Sequence, residues 1–153
     1  MKTPALIPIL AIALLLFSCG KEEALESEES AESEQIDPKS LTFAIYQTLK
    51  SSGFTDVRAT SKVQHPFFPV EGTKLDVIGR EMQVFEFESK EDADKAAASI
   101  SPDGMTINGM PAGWKASPHF YRSDKVISVY VGDDREMNDA IGRSLGKQFA
   151  GKK

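Results

Sequence analysis

Met82-Gln83-Val84-Phe85-Glu86-Phe87-Glu88-Ser89-Lys90-Glu91-Asp92-Ala93-Asp94-Lys95-Ala96 changes period halfway along its length. Phe85 and Phe87 alternate with Glu86 and Glu88, the period of a half-buried strand with both carboxylates on its solvent side. Ser89 with Asp92 three residues on is a shortened capping box, and Ala93, Ala96, Ala97 and Ile100 then follow helical spacing. Laid over Val126 to Ala140, the segment finds its own pattern again at an offset of 44 residues. Phe85 and Phe87 fall on Val129 and Val131, Ser89 and Asp92 on Asp133 and Glu136, and Ala96 on Ala140. Almost no residues are identical, so repeat and coincidence both stay open. A true repeat predicts an α+β domain with a helix followed by two strand-strand-helix units. The sheet would be antiparallel, of about four strands, with three helices on one face and the other face solvated or free to bind.

Upstream, Asp37-Pro38 opens a first helix, with an acceptor at the cap and a proline where no amide hydrogen is needed. Leu41, Ala44, Ile45, Thr48 and Leu49 share a side, and Gly53 ends the run. Phe54 to Val63 reads as a strand, and the two prolines of His65-Pro66-Phe67-Phe68-Pro69 force a loop. Leu75 to Ile78 and Met82 to Phe87 are extended, with Gly79 a bend or bulge. Downstream, Pro102-Asp103-Gly104 and Asn108-Gly109 are turns by composition. Ser117 to Arg122 and Val126 to Val131 read as strands of a hairpin through Ser123-Asp124-Lys125. The last helix is capped by Asp133 with Glu136 and carries Met137, Ala140, Ile141, Ser144 and Leu145 on one side.

The N-terminus has a different character. Lys2, the apolar run Ala5 to Phe17 and the small Ser18 are the three parts of a secretory signal. Thirteen apolar residues interrupted by Pro8 are too few to span a bilayer, which needs about 20. Leu16-Phe17-Ser18-Cys19 resembles a bacterial lipobox, although Phe17 is bulkier than the residue usual at its position. The resemblance implies cleavage before Cys19 and attachment of diacylglyceryl and acyl (palmitate-type) chains there. It places the protein outside the cytoplasm, lipid-anchored to a cell membrane. Two chains hold a protein durably where one holds it marginally. The competing reading is a secreted protein with one spare thiol. With Cys19 the only cysteine, no internal disulfide is available.

Seven glutamates between Glu22 and Glu34, interleaved with Ser and Ala, read as a disordered acidic tether; an acidic tail that captures cations or a basic partner is the alternative. The organisation expected is thus a signal peptide over 1–18, lipidated Cys19 with its linker over 19–37, and one globular domain over 38–153. Lys21 to Asp37 carries one Lys against eight acids, whereas Pro38 onward has 16 basic and 15 acidic residues. The acidity therefore belongs to the tether. A balanced domain has no electrostatic footprint for nucleic acid.

Residues with catalytic chemistry are few. His65 and His119 are the only histidines, and neither has a ligand at metal-site spacing. No serine lies in a nucleophile elbow, and Gly104, Gly109 and Gly113 lack the spacing of a phosphate cradle. No catalytic residue, metal site or cofactor is assigned. The densest mixture of aromatic, cationic and imidazole groups is Trp114-Lys115-Ala116-Ser117-Pro118-His119-Phe120-Tyr121-Arg122. Trp114, Lys115, His119, Phe120, Tyr121 and Arg122 are the candidate binding surface; the plainer reading has the rings filling the core.

This stretch, with Val129-Tyr130-Val131-Gly132 and Leu145-Gly146-Lys147-Gln148-Phe149-Ala150-Gly151, resembles a group of small bacterial lipoproteins of no assigned activity. The resemblance covers most of Ser101 to Gly151 and implies that domain and anchor belong together. Two function classes follow. One is a noncatalytic accessory domain that recognises an envelope protein, peptide or wall component. The other is a small metal-binding or hydrolytic envelope enzyme built on His65 and His119.

Overall fold

A computed structural model of the protein describes residues 35–152; the signal-like segment, Cys19 and the acidic run to Glu34 lie outside them. The first helix, α1, spans Leu41–Ser51 and is capped by Ser40, whose Oγ accepts the Phe43 amide at 3.0 Å. Asp37 acts one turn earlier than expected. Its carboxylate takes the Lys39 amide at 2.9 Å and its carbonyl the Ser40 amide at 3.0 Å, which shapes the turn that leads into the helix.

Strands β1 (Val57–Val63), β2 (Gly72–Val77) and β3 (Glu81–Glu86) follow as an antiparallel meander. Phe54 stays outside β1 and is buried beneath the end of α1. Gly79 makes a hairpin turn here and not a bulge. Ile78 at φ +53° and Gly79 at φ +72° are the two central residues, and Val77 and Arg80 exchange both backbone hydrogen bonds, at 2.8 and 3.2 Å. Two left-handed residues give the turn the twist of its flanking strands. Helix α2 (Lys90–Ala98) comes next, then a two-stranded hairpin of β4 (Thr106–Ile107) and β5 (Met110–Pro111) turned by Asn108-Gly109. Strands β6 (Pro118–Ser123) and β7 (Val126–Val131), helix α3 (Arg135–Leu145) and β8 (Ala150–Gly151) complete the chain.

The class is α+β with three helices, and the main sheet has six antiparallel strands in the order β1-β2-β3-β7-β6-β8 rather than about four. Its centre is the pairing of β3 with β7, the strands of the two repeated segments. Strand β1 widens one edge, and β8, paired through Phe120 with Ala150 and His119 with Gly151, widens the other.

The expectation of helices on one face is corrected: both faces are covered. On one, α1 and α3 lay Ile45, Leu49, Met137, Ile141 and Leu145 over Leu75, Val77, Met82, Val84 and Tyr130. On the other, α2, the β4–β5 hairpin and the Pro66–Pro69 loop bring Ala93, Ile100, Ile107, Phe67 and Phe68 onto Phe85, Phe87, Phe120, Ile127 and Val129. The physical reason is legible in β7, where Val126-Ile127-Ser128-Val129-Tyr130-Val131 is nearly continuous in apolar character. A strand of that composition needs cover on both sides.

The repeat of pattern is therefore not a repeat of architecture. Ser89 caps α2 by accepting the Asp92 amide at 3.1 Å, but α3 is capped by Asp134, which accepts the Met137 amide at 3.1 Å, and not by Asp133. Pairing in β7 also runs to Val131, one residue past the equivalent of Glu86. Because successive strand residues face opposite sides, this one-residue slip accompanies an exit to the opposite face, and the two equivalent helices cover different sides of the sheet.

Candidate functional site

The two histidines occupy opposite faces of the sheet. His65 lies on the α2 side, its ring stacked on Phe67 (centroids 4.7 Å, interplanar 10°) with the Trp114 edge at 5.4 Å, and its Nε2 meets Gln83 Oε1 at 2.7 Å. His119 pairs across strands with Tyr130 on the α1 and α3 side and stacks on that ring at 5.9 Å. Both its ring nitrogens meet oxygens: Nδ1 is 3.1 Å from Gln148 Oε1 and Nε2 3.0 Å from the Gly132 carbonyl. Each imidazole is thus held by an amide side chain, with no carboxylate in the contact. Among the described residues no group of three or more His, Cys, Asp and Glu side chains converges to hold a metal ion.

Gln148 is the hub of a network absent from the sequence reading. Its Nε2 donates to the carbonyls of Ala150 (3.0 Å) and Lys152 (2.9 Å), and its Oε1 accepts from Asn138 Nδ2 at 3.4 Å. Asn138 in turn accepts the Tyr121 hydroxyl, on its carbonyl at 3.1 Å and through Oδ1. The chain of contacts ties β6, α3 and the C-terminal strand together. Burial pushes the Tyr121 phenol up to about 12, with the nearby Asp139 charge adding to it. Nothing local in the sequence marks Gln148, because its partners lie 29, 10, 2 and 4 residues away on different elements.

The six candidate surface residues do not form one exposed patch. Phe120 and Tyr121 are adjacent in a strand and buried on opposite faces, at 0 and 1 % exposure, and His119 is buried beside Tyr130. Arg122 pairs with Asp94 of α2, which fastens that helix to the sheet. Trp114 is half-buried and donates its indole N–H to the Gly104 carbonyl at 3.0 Å. Of the six, Lys115 alone is exposed.

Glu86 is a second correction. Far from facing solvent, its Oε2 accepts the amides of Leu41 (2.9 Å) and Thr42 (3.2 Å), the first turn of α1, while Oε1 lies 3.3 Å from Lys125 Nζ. A carboxylate there satisfies orphan amide donors and meets the positive end of the helix. Near the other helix, Asp133 and Asp134 are both held below the usual carboxylate range: Asp133 by the Ser117 hydroxyl and Lys152, Asp134 by the Met137 amide and Arg80.

Among the described residues, two open grooves lie outside this network and another opens directly onto it. One of about 420 Å³ runs between the Ile78-Gly79 turn and α3 over Phe54 and Met137, rimmed by the Arg80–Asp134 ion pair (2.6 Å) and Arg143. Another, about 360 Å³, separates α1 from β1 between Tyr46 and Arg58. The third, about 380 Å³, lies at the end of α3 beside Asp139 and Lys147 and touches Tyr121. No helix among the described residues is long and apolar enough to cross a membrane. Comparison of the chain with protein-family models, curated proteins and solved structures finds no match.

Proposed function

We propose that the chain is a lipid-anchored extracytoplasmic protein. Cys19 carries the lipid, residues 19–37 act as the tether, and the α+β domain over 38–153 is a noncatalytic accessory module. The observation that carries this reading is the sequence Leu16-Phe17-Ser18-Cys19 after a short apolar run, followed at once by an acidic, low-hydrophobicity segment. The side-chain arrangement favours the noncatalytic class. A centre built on His65 and His119 would have to reach through the sheet, and the groups that meet the ring nitrogens at hydrogen-bond distance are amides and a carbonyl, which neither generate a nucleophile nor exchange protons at ordinary pH.

Cys19→Ala tests the anchor. In cells it should move the protein from the membrane fraction to the soluble one and abolish the mass added by acyl chains. Membrane association undiminished by the substitution would refute lipid attachment.

A further inference from the structure

Ile78 is disfavoured at its position on two separate grounds. It is β-branched at φ +53°, a left-handed conformation that such side chains rarely adopt, and it is 47 % exposed, outside both cores. Neighbours hold it there. The Ile78 amide donates to the Asp56 carbonyl at 2.8 Å, the Gly79 amide to Asp76 Oδ1 at 2.7 Å, and Arg80 Nη1 to the Ile78 carbonyl at 3.3 Å. Maintained strain under an exposed apolar side chain is the pattern of a residue kept for a partner.

Ile78 lines the groove of about 420 Å³ beside α3, whose apolar floor is Phe54, Met137 and Ala140. The charges around that floor are of two kinds. Arg80 and Asp134 close on each other at 2.6 Å. Glu136 and Arg143 are exposed, and their side chains make no ion pair or hydrogen bond among the described residues. They stand seven residues apart on α3, two turns and about 10 Å along its axis, with Ala140 between them on the same side. We infer that a second copy of this chain covers the groove, the two α3 helices running antiparallel about a two-fold axis near Ala140.

Three considerations select a second copy as the occupant. Charge is the first. One unpaired carboxylate and one unpaired guanidinium at opposite ends of a groove give no preference for an acidic or a basic peptide. Turned through a half-circle the groove complements itself, because Glu136 of each copy then meets Arg143 of the other. Glu136 lies four residues before Ala140 and Arg143 three after it, so one axis serves both the charges and the small side chain that lets the helices approach.

The second is the helix itself. Glu136 is in the first turn of α3 and Arg143 in the last, each suited to its own end of the dipole. Antiparallel packing sets each end beside the opposite end of the other helix. The third is Ile78, which the same symmetry carries over the apolar floor of the other copy, out of water. None of these residues enters the lipid-anchor reading, so either conclusion can fail alone.

Sedimentation equilibrium of the full chain in a density-matched nonionic detergent measures the assembly whether or not Cys19 carries lipid. The expected result is a dimer that persists when detergent is raised until empty micelles are in excess. Glu136→Arg and Arg143→Glu should each weaken it about tenfold, since the axis makes every reversal cost two surface ion pairs and create two like-charge contacts. The two reversals combined should restore it. Ile78→Asn should break the dimer yet raise the Tm measured at a dilution where both proteins are monomeric, because Asn-Gly suits this turn.

A wild-type chain that stays monomeric would overturn the inference and leave the anchor standing. So would a dimer weakened by either reversal but not restored by the pair, or one indifferent to both. A dimer that disappears with Cys19→Ala and ignores Glu136 and Arg143 belongs to the lipid and equally refutes the groove contact. A monomer whose Ile78 methyl resonances shift on adding an apolar peptide would assign the groove to that partner and overturn the two-fold contact.

Discussion

Replacing Glu86 separates a helix-capping carboxylate from an ordinary surface residue of a strand. Its Oε2 accepts two amides of the first turn of α1 at 2.9 and 3.2 Å, and Oε1 meets Lys125 at 3.3 Å. The side chain is 24 % exposed. Hydrogen bonds to a charged group contribute about 1.5–3 kcal/mol where buried, and a carboxylate at a helix N-terminus about 0.3–1 kcal/mol; the exposed Lys125 pair adds under about 1 kcal/mol. Allowing for partial solvation of the freed amides, Glu86→Ala should cost about 2.5 kcal/mol, or about 10 °C in Tm for a domain of this length. Glu86→Gln keeps an oxygen acceptor and loses the charge, so about 1 kcal/mol is expected. Guanidinium unfolding followed by circular dichroism measures both. Hydrogen exchange should show the Leu41 and Thr42 amides losing protection before those of α3. Equal costs for the two variants, or costs under about 0.5 kcal/mol as at an ordinary surface site, would refute the capping role.

Gly151→Ala should release β8 from β6, because φ is +103° there and an added Cβ would lie 1.9 Å from the Pro118 carbonyl oxygen. The check is loss of protection at the Phe149 and Lys152 amides, which bond to Phe120 and Pro118, with the β3–β7 centre unchanged. The pH dependence of stability should fall away at both ends. The Tyr121 phenol, raised by burial to about 12, contributes stability present below the unfolded value of 10 and lost as pH rises from 10 toward 12. Asp92, Asp103, Asp133 and Asp134, held low chiefly by hydrogen bonds to hydroxyl or amide donors, contribute stability present above the unfolded value near 4 and lost as pH falls through their folded values. Tyr121→Phe should flatten the alkaline limb alone and cost about 1–2 kcal/mol at pH 7 by leaving Asn138 without its donor.

Local order was the most legible. Ser89 caps α2 as its hydroxyl and the spacing to Asp92 indicate, and Asn108-Gly109 turns the small hairpin between Ile107 and Met110. Both depend on residues within a few positions of one another. The helix caps at either end were displaced, from Asp37 to Ser40 and from Asp133 to Asp134, because adjacent acceptors compete and the winner is set by where the helix must dock. The mixed aromatic stretch misled for a related reason. Trp114 to Arg122 is dense in chemistry along the chain, but within β6 alternate residues leave in opposite directions, so Phe120 and Tyr121 fill separate cores.

By itself the sequence determined the period of each segment, the α+β class and the concentration of net negative charge in the stretch before Pro38, since these depend on residue type and short spacing. It also contains the Cys19 motif from which the anchor is proposed. Tertiary structure alone decided that α2 and α3, alike in pattern, cover opposite faces, that Glu86 caps a helix 44 residues away, and that Gln148 joins His119 to the C-terminal strand. Those outcomes depend on which side of the sheet a chain leaves and on partners far apart in sequence. A one-residue slip in a strand reverses the side, and a single amide or carboxylate has no spacing to announce its partner.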